Sequence, residues 1–390
     1  MENTFLKKLD PTILFLIGLL GLISIVALTS TQAQGLYGSS NLALKQGINF
    51  MVGVVLLLIF SYLDIDQIEG LAWPLYIFGF VTVAVIPFMP ASIVPPVLGA
   101  KRWFNIPFLG SIQPSEFMKV FLLILNARLA QNHNAENPVR TVQTDLKLVG
   151  KIMLATMPVF LFVYIEPDTG MPFLYLAGSL TIIFLSGIQK KVILPLVLIP
   201  ASLVGLIVVI YFQSPTLFNS FLHMLSPHQQ ARITGWISPS ANSASAYQTQ
   251  KSLLAVGTGE TIGKGLGDAK SAVYIPEKTS DFIFSSIAEQ GGFLAASVVI
   301  SLYFMLMYRV TVIGLNSNSS FGSYLCGATI VIFSLQIFQN IGMTIGLMPV
   351  KGISLPFLSY GGSSIFSNMI LMGIFLSMNK TYRKYMFGQG

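Results

Sequence analysis

Apolar residues fall in ten blocks along the chain, at about 11–30, 47–63, 71–89, 114–130, 148–165, 171–187, 192–212, 282–308, 321–347 and 363–379. Short polar connections separate them, except for one long polar segment, residues 213–281, between the seventh block and the eighth. None carries the polar stripe that a soluble amphipathic helix shows at its 3.6-residue period. Each comes close to the ~20 residues needed to cross the hydrocarbon of a bilayer. Exposed strand or coil in lipid would leave backbone groups unpaired, so helix is the physical choice for every block. The pattern predicts an all-α, polytopic integral membrane protein of about ten transmembrane helices. It reads as one membrane domain over residues 1–390, with the loop 213–281 included.

Composition agrees. Of 390 residues, 53% are hydrophobic and only 9% charged, where a soluble domain carries roughly a quarter of its residues as charges. The formal net charge of +7 does not indicate nucleic acid, because the basic residues flank apolar blocks and never gather into a basic arm. They report topology instead. With the N-terminus inside, twelve Lys and Arg lie on the cytoplasmic side, from Lys7 and Lys8 through Arg128, Arg140 and Arg309 to Lys384. Only Lys45, Lys101, Arg102 and Lys351 fall in short outer segments. The positive-inside rule then puts both termini in the cytoplasm and the long loop outside. The first block follows two lysines but is long for the apolar region of a signal peptide, so it is expected to stay as a helix. Cys326 is the single cysteine and lies inside an apolar block, which excludes an intramolecular disulfide and a cysteine-based metal site.

Charges within or beside the blocks are the clues to chemistry, since each is costly near lipid and needs a partner, water or a function. Glu116 and Lys119 are three residues apart and share one helical face. They read either as a self-neutralising ion pair or as a polar wall of an outward cavity. Asp281 ends the long loop in the run EKTSDFIF, and it is open between a helix N-cap and a carboxylate at a cavity lip whose desolvation raises its pKa toward that of a general base. Glu289, eight residues on, is expected on about the same face. Lys101 and Arg102 beside Trp103 suit an anionic group at the membrane surface. Glu166 and Asp168 share the outer turn EPDTG. In the loop, residues 226–250 are Ser-, Ala- and Gln-rich and read as flexible surface. Residues 251–281, glycine-rich and acidic, lead into the eighth block. The stretch GTGETIGKGLG at 257–267 is not a P-loop, because Thr258 stands where the first glycine belongs and Gly265 follows Lys264 in place of Ser or Thr. His133, His223 and His228 are too scattered for a metal site.

Several of these segments together resemble the SEDS family (shape, elongation, division and sporulation proteins), and its RodA branch more than the FtsW or SpoVE branches. The matching runs are GAKRWF at 99–104, QPSEFMK at 113–119, EPDTG at 166–170, IPEKTSDFIF at 275–284, and QNIGMTIGLMPVKGISLPFLSYGGSS at 339–364. The resemblance implies a peptidoglycan polymerase that joins lipid II units outside the bacterial cytoplasmic membrane for cell elongation and rod shape. It implies that Asp281 is the essential aspartate, that Glu116 and Lys119 are the family's charged pair, and that the loop Ser359, Tyr360, Gly361, Gly362 to Ser364 contributes to the substrate site. Ser280 replaces the threonine common before the aspartate. A class B penicillin-binding protein transpeptidase and the elongation machinery are the partners that the resemblance implies.

That chemistry suits the residues. Displacing a lipid diphosphate from an anomeric carbon needs a base for the incoming sugar hydroxyl and positive charge for the leaving group. The expected roles are Asp281 as base on the GlcNAc 4-hydroxyl of the acceptor, with inversion at the donor carbon, and Lys101, Arg102, Lys119, Arg232 or a divalent cation (Mg or Mn) at the diphosphate. No organic cofactor is expected. Two other readings stay in view: a lipid II flippase, which needs a polar path across the bilayer, and a non-catalytic scaffold for a penicillin-binding protein.

Overall fold

A computed structural model describes residues 9–35, 41–97, 100–106, 110–238, 243–267 and 272–386, the side chains of 228 and 380–386 excepted. Lys7, Lys8, Lys380, Arg383 and Lys384, which entered the topology count, therefore lie outside the described side chains.

Each of the ten apolar blocks falls on a helix. In chain order the described helices are α1 (Pro11–Ala33), α2 (Leu42–Tyr62), the short α3 (Ile65–Gly70), α4 (Ala72–Val85), α5 (Pro114–Glu136), α6 (Val142–Ile165), α7 (Gly170–Leu185), α8 (Lys190–Gln213), α9 (Pro215–His223), α10 (Pro227–Ile237), α11 (Ala244–Thr258), α12 (Ile283–Leu315), α13 (Ser320–Thr344) and α14 (Gly362–Met386). A 3-10 turn, Ile86–Phe88, extends α4. Six helices (α1, α2, α6, α8, α12 and α13) are long and apolar enough to cross a bilayer, and the helices over Ala72–Phe88 and Gly170–Leu185 are shorter and apolar. The protein is thus nearly all-α, with the helices of a polytopic membrane protein. One departure is a small antiparallel hairpin, β1 (Phe104–Ile106) with β2 (Gly110–Ile112), set before α5.

The centre of the bundle is α5, which packs against α4, α6, α7, α13 and α14. Met118, Val120, Leu122, Leu123, Ile124 and Leu125 are consecutive or nearly so and all buried, so every face of this helix meets protein. A helix apolar all round is stable only where protein or lipid covers it. The opposite case is α8, more apolar still but with Val192 as its only buried residue, and it leaves its surface to lipid. The contrast explains why α5 can carry charged and amide side chains, whereas between Lys191 and Gln213 α8 carries neither.

The long polar segment is more ordered than its composition suggests. Where a flexible surface was expected over 226–250, the chain forms α10 and the first half of α11. Ser226 caps α10 by accepting from the Gln229 amide in a capping box. Ser243 caps α11 by accepting from the Ala246 amide. The small residues that looked like linker, Ser245, Ala246, Thr249, Ser252 and Ala255, form the buried face of α11, which packs on α10, α12 and α13. Small side chains here permit close helix approach, as in membrane interfaces generally. Residues 239–242 lie outside the described set.

The glycine run 257–267 also has a structural role. Gly292 interrupts α12 with φ 64° and ψ −162°. In a continuous helix the amides of Phe293 and Leu294 would bond the carbonyls of Glu289 and Gln290. Here they donate to Glu260 and Thr261 instead, while those two freed carbonyls accept from the amides of Lys264 and Gly265. The loop and the broken helix exchange hydrogen bonds, so no backbone group is orphaned. A Cβ on Gly263 would sit 2.1 Å from the Gln290 carbonyl oxygen, and one on Gly292 would sit 2.4 Å from the Gly263 nitrogen. Glycine is required on both sides of this contact.

Candidate active site

Asp281 sits in a turn closed at both ends. The Glu277 carbonyl accepts from the amides of Ser280 and Phe282, and the Asn340 side-chain amide donates to the Asp281 carbonyl at 2.8 Å. The FLSYGGSS run, 357–364, props the same turn: the Ser359 hydroxyl donates to the Ser280 carbonyl at 2.7 Å, and the Tyr360 amide donates to the Thr279 carbonyl at 3.0 Å. The residue that caps α12 is Phe282, with no side-chain capping bond. Of the two readings of Asp281, the helix cap is therefore excluded. Its carboxylate is half-buried, makes no ion pair within 4 Å among the described residues, and lies against Gly352. A Cβ at that position would be 3.1 Å from Oδ2, and its φ of +67° also favours glycine.

Charge surrounds this carboxylate without neutralising it. Burial pushes the Asp281 pKa up from 3.8 to about 6; the negative charges of Glu277 and Asp168 push the same way, and Arg232 and Arg102 oppose them. Arg232, on α10, donates to the Thr169 hydroxyl at 3.3 Å and to the Lys351 carbonyl at 3.1 Å. It thereby joins the EPDTG turn, the loop 351–364 and α10 around Asp281. Arg102 donates to the carbonyls of Glu166, at 2.9 Å, and Pro167 and pairs with Asp168 at 3.6 Å. Asp168 in turn accepts from the amides of Gly170 and Met171 and so fixes the start of α7. Glu166 is different again: it is buried, its Oε1 has no hydrogen-bond partner among the described residues, and burial next to Asp168 raises its pKa from 4.5 to about 9. It is a neutral acid at neutral pH.

The second carboxylate expected at the site, Glu116, is paired. Lys119 Nζ donates to its Oε2 at 2.8 Å and to Asn368 Oδ1 at 3.4 Å. The hydroxyls of Ser354 and Ser367 donate to Glu116 at 3.3 Å each. Glu116 is 5% exposed and Lys119 fully buried. The loop 351–364 connects the two carboxylates, since Ser354 bonds Glu116 and Gly352 touches Asp281.

The predicted residues thus divide. Asp281, Arg102 and Arg232 come together. Ser359 and Tyr360 support the Asp281 turn through an oxygen and a backbone amide, and the amide of Gly361 leans on Gln46 Oε1 at 3.4 Å; Gly362 begins α14. Lys119 is enclosed beneath the loop. Lys101 turns away, its ammonium on the Met89 carbonyl at 3.2 Å. Glu289 does not share a face with Asp281, because Asp281 precedes the helix; it binds Lys264 and Lys278 instead. Residues 98–99, at the start of GAKRWF, lie outside the described set. Sequence reading missed Asn340, Gly352, Asn368 and Gln113, whose side-chain amide donates to Asp168 Oδ2 at 3.4 Å. Asn340 and Asn368 were visible as amides inside apolar blocks, where a polar side chain needs partners.

Among the described residues no group of three His, Cys, Asp or Glu side chains is placed to hold a metal ion.

Comparison with known proteins places this arrangement. A family model described as "Cell cycle protein", FTSW_RODA_SPOVE, matches residues 7–384. The chain is 30% identical over 389 residues to the peptidoglycan glycosyltransferase MrdB of Escherichia coli K12, covering 98% of this chain and 97% of that one. It is 31% identical over 331 residues to a probable peptidoglycan glycosyltransferase FtsW of Coxiella burnetii, covering 83% and 82%. It is also 28% identical to the stage V sporulation protein E of Bacillus subtilis over 97% and 99%. Among solved structures, a chain of a peptidoglycan synthase complex that coordinates polymerization and crosslinking superposes with a TM-score of 0.73 at 22% identity, covering 96% of this chain and 98% of that one. The rod shape determining protein RodA of Thermus thermophilus gives 0.65 at 22% identity, over 96% and 97%. These two matches speak for a shared fold, and the full-length sequence matches carry the relationship: this multi-pass membrane protein belongs to the FtsW/RodA/SpoVE family, the SEDS proteins.

Proposed function

We propose that the chain is a peptidoglycan glycosyltransferase that polymerises lipid II into glycan strands. The observation that carries this reading is the Asp281 carboxylate: half-buried, unpaired, raised to about 6, and faced by Arg232 and Arg102. A carboxylate in that state is ionised at neutral pH yet basic enough to take a proton. Asp281 removes the proton of the acceptor GlcNAc 4-hydroxyl as that oxygen attacks the donor's anomeric carbon from the side opposite the diphosphate. The new glycosidic C–O bond forms, the bond from carbon to diphosphate oxygen breaks, and polyprenyl diphosphate departs with its electron pair. Arg232 and Arg102 stabilise the charge that develops there. Lys119 acts through Glu116 and the loop 351–364, shaping the wall rather than touching the diphosphate. A Mg or Mn ion, if used, arrives with that diphosphate.

The membrane arrangement in this reading is ten spans in one domain, both termini cytoplasmic, with 213–281 and the active site outside. It is supported by the ten helices on the ten apolar blocks and by the Lys and Arg count. The polyprenyl tail of the substrate requires a site open to lipid, which fits a transferase this apolar. The elongation role rests on full-length relatives named MrdB, and a class B penicillin-binding protein partner on the likeness to a synthase complex chain. The test is purified protein with lipid II in detergent and in vesicles, wild type beside Asp281→Ala. Glycan strands from wild type alone support the polymerase. Transbilayer movement without polymer from either protein favours a flippase, and neither activity favours a scaffold.

A further inference from the structure

Glu289 is the last acidic residue before the break in α12, and it is 1% exposed. Its side chain gathers the far end of the long loop. Oε1 accepts from Lys264 Nζ at 2.8 Å and from the Val273 amide at 2.8 Å. Oε2 accepts from Lys278 Nζ at 2.6 Å. Its backbone carbonyl, released by the break, accepts from the Lys264 amide at 2.9 Å. Lys278 is fully buried and also donates to the Val273 carbonyl at 3.0 Å and to Gln34 of the α1 C-terminal cap at 3.4 Å. One glutamate therefore ties Lys264, Val273 and Lys278 together. Three residues after Lys278 comes Asp281.

The Asp281 turn has two supports. On one side stand Ser359, Tyr360 and Asn340, which hold the carbonyls of Ser280, Thr279 and Asp281. The other side is the Lys278 ammonium seated on Glu289. A buried ion pair contributes little net stability compared with an apolar pair of the same shape, and its better-attested use is to fix one arrangement against others. Catalytic geometry, by contrast, is sensitive to displacements of about 1 Å. From these contacts we infer that Glu289 and Lys278 form a clamp that positions Asp281 for proton transfer, Lys278 being a positioning residue that acts through the turn 277–282. This inference rests on the proposed role of Asp281 as base.

The test measures kcat and KM for lipid II polymerisation, and the pH dependence of both, in wild type, Lys278→Met, Lys278→Arg, Lys264→Met and Asp281→Asn. Melting in detergent is followed in parallel. With Lys278→Met, kcat is expected to fall about tenfold or more while KM stays within about twofold, since positioning belongs to the transition state. A loosened turn lets water reach Asp281, whose charged surroundings are Glu277, Asp168, Arg232 and Arg102. The acidic limb of kcat/KM, taken from the same kcat and KM at each pH, then moves from about 6 toward 3.8. Lys278→Arg restores most of kcat and returns the limb. Lys264→Met, which loosens the same glutamate on the side away from Asp281, lowers kcat less than Lys278→Met at a similar loss of melting temperature. Equal kcat losses from both lysines, or wild-type kcat and limb from Lys278→Met, overturn the clamp. If Lys278→Met is not recovered folded, Glu289→Asp, which keeps the charge and draws it back by one methylene, makes the same prediction at smaller size. Polymer from Asp281→Asn overturns the base itself, whereas an inactive Asp281→Asn beside a wild-type Lys278→Met overturns only the clamp.

Discussion

Glu116 and Asp281 are joined by one loop, yet their surroundings give them opposite behaviour. Glu116 is enclosed and receives an ammonium and two hydroxyls, so its position is set by Lys119, Ser354 and Ser367. Asp281 receives no such partners on its carboxylate and keeps part of its surface open. Its turn is held by the backbone, through Asn340, Ser359 and Tyr360. The difference separates two uses of a carboxylate near lipid: one stiffens a wall, and the other stays able to exchange a proton. A base must be held firmly by something other than its own oxygens.

The comparison breaks most sharply at Glu116. Glu116→Ala strands the Lys119 ammonium without its counter-ion, and a broken buried pair costs about 3–5 kcal/mol. Folded protein recovered from membranes should fall steeply. The double variant Glu116→Gln with Lys119→Met removes both charges together and should melt closer to wild type than Glu116→Ala does. A double variant worse than the single one would mean that the pair does more than hold the wall.

A smaller effect is expected at Asn340, whose amide donates at 2.8 Å to both the Asp281 and the Ile353 carbonyls. Asn340→Leu leaves two carbonyls unsatisfied, at about 1–3 kcal/mol each where burial is complete. Activity should drop further than the melting temperature alone explains, because the lost contact is on the base's own turn. Equal activity per folded molecule would show that the loop before α14 suffices.

The smallest effect is predicted for Glu166→Gln. The Glu166 carboxyl is neutral up to about pH 9, so the amide replaces it without changing charge, and polymerisation at pH 7 should be nearly unaltered. Stability carries the signature instead. The folded pKa lies above the unfolded one, so the contribution of the neutral form is complete below about 4.5 and is lost as pH rises through about 9. Wild type should therefore lose melting temperature relative to Glu166→Gln between those values. Asp168→Asn, which weakens the Arg102 pair, should lower activity, in contrast to Glu166→Gln.

Much of the fold was written in the pattern of apolar blocks, because lipid leaves helix as the only way to satisfy a spanning backbone. Asp281 stood out as a carboxylate delivered to the membrane edge. The loop was harder to read. Ser243 to Thr258 has the composition of a linker, and it becomes a helix because small side chains let α11 bury one face against α12. Glu289 could not be placed beside its lysines from periodicity, because Asp281 lies in the turn before α12 and sets no helical phase for it. Lys101 and Arg102, adjacent in sequence, have different partners, the Met89 carbonyl for one and the EPDTG turn for the other, which adjacency alone does not reveal.

The central claim is that Asp281 is the base, and the pH dependence of kcat/KM for lipid II polymerisation tests it most directly. The account predicts a rate that rises with pH through about 6, levels off above it, and is absent at every pH in Asp281→Asn protein that melts like wild type. A rate that is flat from about pH 5 to about pH 8, or glycan strands made by Asp281→Asn at the wild-type rate, would contradict it.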